Sequence, residues 1–333
     1  MAANRYRYQN PAVLGTVVEF SFEVVGADDR MADDRAEAAA DALFGEVDRL
    51  QAVFSAFDET SELSRWRSGE LPGAETSDEF AALMGQVGFW QRWSAGLFNP
   101  LTGELSAVWA EAEGHGREPE PERLMALAAA LTEPRFEMVG GRPTLTGDCS
   151  RLNVNAMAKG WIVDRAVAVV GDRFDDVDNL LVNAGGDLCH RGSGTATVGI
   201  ENPQRPYDNE PPLTVIEVTG EAVATSGASR RAFNVGGRRV GHVLDPRSGQ
   251  PAEVSASVSI VAPSAMVADV IATPAAILTP EEAIELVDRA EHTTGEAIAA
   301  LIVDHDGNRF PSARWLERFG PAVNARSTDE SPR

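Results

Sequence analysis

In the apolar run PSAMVADVIATPAAILT, residues 263–279, one carboxylate, Asp269, stands four residues before a hydroxyl, Thr273. An unpaired carboxylate in such surroundings is costly unless it takes up a proton or finds a partner. A helix over 264–278, capped by Ser264, puts both side chains on one face, a turn apart. Carboxylate, hydroxyl and carbonyl oxygens are the ligands Mg²⁺ takes, often together with substrate phosphate. Pro274 offers no N–H to the Val270 carbonyl and disfavours helical geometry at Thr273, so the helix is expected to kink or end there. The plain alternative is a salt-bridged Asp and a structural Thr.

Four other stretches carry chemistry-bearing types. LNVNAMAKGWIVDRA (152–166) sets Lys159 and Gly160 between a strand and a helix, where a cation and flexible backbone suit phosphate. It is not a Walker loop, because the upstream glycine is missing, and a solvated lysine is the alternative. NLLVNAGGDLCH (179–190) runs a strand into Gly185, Gly186 and Asp187. Paired glycines permit positive φ or close backbone approach; the alternative is a tight hairpin with Asp187 bonded to its own turn. VATSGASRRAF (223–233) places Thr225, Ser226, Gly227, Arg230 and Arg231 at a strand end. GHVLDPRSGQP (241–251) puts His242 in a strand, where imidazole can take a proton near neutral pH or serve structure alone. The 5 histidines form no HxxxH or HxH pair.

The elements that must position these residues follow from periodicity. Residues 13–25 read as a strand, 30–57 as a long amphipathic helix and 77–94 as a second helix behind Ser77 and Asp78. A polar loop is expected from Asp58, a packed loop over 95–109 and a linker over 114–122, followed by a helix through RLMALAAAL. Beyond residue 135 short strands alternate with turns, including RLNVNA (151–156), NLLVNAGG, TATVGIE, LTVIEV, AVATS, RVGHVLD, VSASVSIVA and AIAALIVD. Helices are expected at 158–171, 264–278 and 280–291. Long helices first and a strand-rich half after them indicate an α+β fold.

The 333 residues carry 51 acidic and 29 basic side chains, a formal charge of −22. That balance argues against a nucleic-acid binder, which shows a basic patch. The 2 cysteines, Cys149 and Cys189, form no CxxC pair and suit buried positions in a reducing compartment. No apolar run is long enough to span a membrane and no signal peptide is visible, so a cytoplasmic protein is expected.

In order along the chain, LGT (14–16), SELSR (61–65), SAGLFNPLTG (94–103), NAMAKGWIVD (155–164), NAGGD (183–187), ATSG (224–227), HVLDPRSGQP (242–251) and SAMVADVIAT (264–273) resemble the ApbE family of flavin transferases. The resemblance implies an ApbE-like, T-fold-like α+β architecture of two lobes, with mostly antiparallel sheets, packed helices and an active site between the lobes. The expected organisation is an N-terminal extension over 1–12, one domain over 13–322 and, from its polar composition, a disordered tail over 323–333. The implied activity is Mg²⁺-dependent transfer of FMN from FAD to a Thr or Ser hydroxyl of an acceptor protein, releasing AMP. A metal-dependent FAD pyrophosphatase and a non-catalytic flavin-binding protein are the alternatives. By position, Asp269 and Thr273 fall on the metal site, with backbone carbonyls of Ala156 and Ala272. Lys159 falls where the family contacts the flavin nucleotide, and Leu97, Phe98 and Asn99 on its flavin loop. Gly185, Gly186 and Asp187 form a turn beside the site, Ser226 a wall of it, and His242 is the candidate general base beside the dinucleotide. The chain departs from the family at Asn99 and Asn153, where Asp is usual, at Trp66–Arg67, and at Pro274.

Overall fold

The computed structural model describes residues 3–26, 29–206, 210–227 and 232–321. It opens with strands β1 (Ala3–Val13) and β2 (Thr16–Val25) and the long helix α1 (Asp29–Phe54). Four helices follow, α2 (Glu62–Arg67), α3 (Asp78–Trp93), α4 (Gly103–His115) and α5 (Pro121–Ala130). The hairpin β3 (Phe136–Val139) and β4 (Arg142–Leu145) leads to α6 (Asn155–Arg173). Next come β5 (Val177–Ala184), β6 (Asp187–Arg191), β7 (Ala196–Ile200), β8 (Thr214–Val218), β9 (Ala222–Gly227), β10 (Ala232–Val235) and β11 (Arg238–Gly241). The chain closes with β12 (Ser255–Ala262), α7 (Ala265–Ala275), α8 (Pro280–Thr294), β13 (Ala299–Asp304), β14 (Arg309–Pro311) and α9 (Ala313–Phe319).

Eight strands form one sheet in the order β1-β2-β5-β6-β9-β12-β13-β14. Every pairing in it is antiparallel, which gives the α+β class its physical form here. One face packs on α1, α6 and α7 through residues such as Phe20, Val182, Val258, Leu43, Ile162 and Ile271. The opposite face packs on the β7–β8 hairpin and α9, through Val261, Leu301, Val198, Ile216 and Trp315. Strand β12 is covered on both faces, so all its residues are buried and SASVSIVA shows no alternation of exposure.

Several elements differ from the sequence reading, each for a local reason. The segment expected as an extension over 1–12 supplies edge strand β1 from Ala3 onward, with Tyr8 stacked on Phe20 at 5.5 Å. The polar stretch after Asp58 folds into α2 because Ser61 caps it, accepting from Ser64 N–H at 3.0 Å, while Leu63 and Trp66 turn inward. Half of the expected loop over 95–109 is α4, whose start at a Thr-Gly pair reads as turn chemistry. RLNVNA forms no strand; α6 begins inside it at Asn155. Helix α7 does not stop at Thr273 but runs through Pro274 to Ala275. Pro274 lies in the last turn, where a missing donor costs one backbone bond instead of breaking a helix interior. The expected disordered tail over 323–333 lies outside the described residues. No described helix is long and apolar enough to cross a membrane.

Candidate active site

Helices α6 and α7 approach so closely that a Cβ on Gly160 would sit 2.4 Å from the Ala265 carbonyl oxygen. Only glycine tolerates that contact without displacing backbone. One turn along α6, Asp164 accepts hydrogen bonds from the Ala265 N–H at 2.7 Å and the Met266 N–H at 2.9 Å. Ser264, the N-cap foreseen from sequence, accepts from the Val267 N–H at 3.2 Å. The sequence marks Gly160 for phosphate and not for helix packing, and does not mark Asp164. Their signal was the i, i+4 spacing of a glycine and a carboxylate on an apolar helix face, which means little until the second helix is in place.

This crossing brings the N-terminal part of α6 against α7. Lys159 forms an ion pair with Asp187, whose side chain is 3% exposed. Asp187 therefore does not bond its own turn. Asn183 serves there instead, its Oδ1 accepting from the Gly186 N–H at 3.0 Å. Gly185 and Gly186 both take positive φ, 64° and 105°, and a Cβ on Gly185 would meet Thr16 Oγ1 at 2.4 Å.

Asp269 is buried on α7. Burial pushes its carboxyl pKa upward, against the opposing pull of the Lys159 ammonium and the Gly160 N–H. Its Oδ2 has no hydrogen-bond partner among the described residues. One turn on, Thr273 Oγ1 lies 3.4 Å from Ser226 Oγ at the end of β9. The structure thus brings together Lys159, Asp187, Asp269, Thr273 and Ser226, with Ala156 one turn upstream of Gly160 on α6.

A buried orphan oxygen and a hydroxyl one turn apart fit a hard divalent cation that completes its shell with carbonyls, water and substrate phosphate. The described residues hold no group of three or more His, Cys, Asp or Glu side chains able to enclose a metal by themselves, so the donor set is not that of a closed structural site. Of the two carbonyls considered, that of Ala272 already accepts the Ala276 N–H at 3.0 Å.

The remaining candidates take other places. Asn99 is buried and its amide bonds at both ends: Nδ2 donates to Leu131 O at 3.0 Å and Oδ1 accepts from the Leu101 N–H at 2.9 Å. Phe98 is in the core, whereas Leu97 is half-buried beside an open cavity of about 290 Å³ lined also by Ala95, Leu278, Glu282 and Arg289. His242 is exposed and falls one residue beyond β11, not within a strand. Ser226 and Thr225 end β9, while Arg230 and Arg231 lie outside the described residues. Of the departures, Trp66 fills the core and donates to Pro143 O at 3.0 Å. Arg67 donates to Ala56 O at 2.7 Å and Leu152 O at 3.0 Å, tying the loop before α2 to the segment leading into α6.

The sequence profile of the ApbE family matches residues 14–298, from the β1–β2 turn to the threshold of β13. The chain belongs to the ApbE family. It is 30% identical over 275 residues to the FAD:protein FMN transferase of Treponema pallidum, covering 75% of this chain and 74% of that one. To a Klebsiella pneumoniae protein of the same name it is 24% identical over 331 residues, covering 92% and 89%. Against the Escherichia coli protein of that name identity is 30% over 168 residues, and the chain spans 45% of that relative's length. Two solved ApbE structures share the fold: the ApbE protein of Thermotoga maritima, TM-score 0.77 at 24% identity, covering 94% of this chain and 99% of that one; and the apo flavinyl transferase ApbE of Pseudomonas stutzeri, TM-score 0.74 at 23% identity, covering 96% and 98%. Within the ApbE chain, α9 and β14 lie beyond the matched region, while α6, α7, β6 and β9 lie inside it.

Proposed function

We propose that this chain transfers FMN from FAD to a Thr or Ser hydroxyl of an acceptor protein, in a Mg²⁺-dependent reaction that releases AMP. The observation that carries the reading is the buried Asp269 oxygen without a partner, one turn from Thr273 and beside Lys159. Relatives named FAD:protein FMN transferase support it.

Asp269 and Thr273 would hold the cation, with the Ala156 carbonyl and, through its remaining lone pair, that of Ala272. When bound, the metal supplies neutralisation of pyrophosphate charge. Phosphoryl transfer then asks the chain mainly for positioning and electrostatics. Asp187 fixes the Lys159 ammonium, which supplies a cation for a phosphate oxygen. Gly185 and Gly186 present backbone without side chains beside it, and Ser226 forms the wall toward Thr273. Leu97, Phe98 and Asn99 shape the flavin loop, with Leu97 the member that reaches an open cavity. His242 is the base that takes the acceptor hydroxyl's proton. A phosphorus–oxygen bond forms to the acceptor, the bond to the AMP phosphate breaks, and AMP leaves.

Incubation of the chain with FAD, Mg²⁺ and candidate acceptors, followed by mass spectrometry, tests this. The expected result is an FMN addition on Thr or Ser, with one AMP released per transfer. FAD cleavage to FMN and AMP at the same rate without acceptor would replace the transferase reading by a pyrophosphatase. Bound FAD left intact with Mg²⁺ would leave a flavin-binding protein.

A further inference from the structure

Helix α7 is wrapped in apolar contacts: Ala265, Val267, Ala268, Val270, Ile271 and Ala272 are all buried. Apolar burial is non-directional and fixes poorly how far a helix slides along its axis. A slide of one residue moves a side chain by about 1.5 Å. Mg²⁺ demands near-ideal geometry at metal–oxygen distances of about 2.0–2.1 Å. Something directional must therefore set the register of α7 on α6.

Ser264 cannot do so, because it caps α7 from within the same segment and moves with it. Asp164 can, because it belongs to α6. Its two carboxylate oxygens take the first two N–H groups of α7 separately, Oδ1 from Ala265 and Oδ2 from Met266. Such a forked contact between two helices resists both sliding and rotation. Gly160, one turn earlier on α6, lets the two backbones close to the distance at which the fork can form.

The surroundings disfavour the ionised form of this carboxylate. It is half-buried, and desolvation raises its pKa from 3.8 to about 6 despite the two N–H groups and the Cys189 thiol that bond to it. Glu296 adds a like charge nearby. The net burden on the ionised form is what a group retained for geometry tolerates.

We propose that Asp164 is a positioning residue that sets the register of α7 on α6, and so holds Asp269 and Thr273 where a divalent cation between them and Ala156 can be bound. The inference rests on the metal reading above, and goes beyond it by assigning the device that aligns the site.

The test compares Asp164→Asn with wild type in the full chain. Asn keeps the size but turns one acceptor into a donor against an N–H. Three readouts are taken at pH 8: Mg²⁺ affinity by calorimetry without FAD, Tm without metal, and backbone deuterium exchange of Ala265–Ala268. Expected are a Mg²⁺ affinity weakened by about tenfold or more, faster exchange at the start of α7, and a Tm equal to or above wild type. Wild-type Mg²⁺ affinity in the variant overturns the proposal, as does a loss of affinity that only follows a fall in Tm. If wild type binds no Mg²⁺, the metal reading fails. Exchange then decides the positioning role separately: unchanged exchange at Ala265 and Met266 refutes it, and faster exchange with undiminished Tm upholds it.

Discussion

Lys159 stands between two buried carboxylates and satisfies them unequally. Asp187 has it as an ion-pair partner, whereas Asp269 feels it only through space and keeps an oxygen without a hydrogen bond. Breaking a buried pair by removing one member costs about 3–5 kcal/mol, because the other charge stays behind. Lys159→Met should therefore lower stability by about that amount in urea unfolding at pH 8. Asp269 predicts the opposite direction. Its pKa is raised, so the folded chain holds this proton more tightly than the unfolded chain. The stability it contributes is present below the unfolded pKa and is lost as pH rises through the folded one. Asp269→Asn should then raise Tm at pH 8 without metal, while lowering Mg²⁺-dependent AMP release by about 100-fold or more. A variant that unfolds earlier and turns over normally would remove Asp269 from the metal site.

Between residue and molecule, the α6–α7 pair is the unit that assembles the site. Gly160→Ala would drive a Cβ into the Ala265 carbonyl, 2.4 Å away, and into the Met266 nitrogen, 2.6 Å away. Both are backbone atoms and cannot swing aside, so the helices must part, at a cost of about 1–3 kcal/mol in urea unfolding. Mg²⁺ binding should weaken with it. The same helix pair carries a pH signature. Asp164 moves from 3.8 to about 6 on folding, through burial. Its contribution is full below about pH 4 and is lost as pH rises through about 6, about 3 kcal/mol in all at 1.36 kcal/mol per unit. Unfolding free energy measured from pH 4 to pH 8 should lose that component in Asp164→Asn.

At the scale of the whole molecule, a formal charge of −22 opposes an anionic dinucleotide at long range. Screening removes such repulsion beyond about 8–10 Å at physiological salt. Raising ionic strength from about 10 mM to 150 mM at saturating Mg²⁺ should therefore speed FAD association, followed by quenching of flavin fluorescence in stopped flow. A slowing would mean that local cations such as Lys159 dominate the encounter. Architecture also matters at this scale. The sheet separates two cores; the candidate site residues on α6 and α7 belong to the helix-covered face, and β7, β8 and α9 pack on the other.

Much of this protein could be read from local pattern. The helices α1, α3, α5 and α8 and most strands follow from periodicities of 3.6 and 2, and from caps such as Ser77 and Ser264 whose bonds are local. The spacing of Asp269 and Thr273 was equally legible, because a helix converts four residues into one turn. What the sequence could not contain was the partner of each group. Asp187 bonds Lys159 across 28 positions and Asp164 caps α7 across 101, pairings that only a folded chain brings within reach. Asn99 shows the converse: a residue marked by its motif proves to spend an amide donor inside the fold, on the Leu131 carbonyl 32 positions away. Residue types and local periods are intrinsic to the chain, whereas burial, and with it the shifted carboxyls of Asp164 and Asp269, exists only where two helices and a sheet exclude water together.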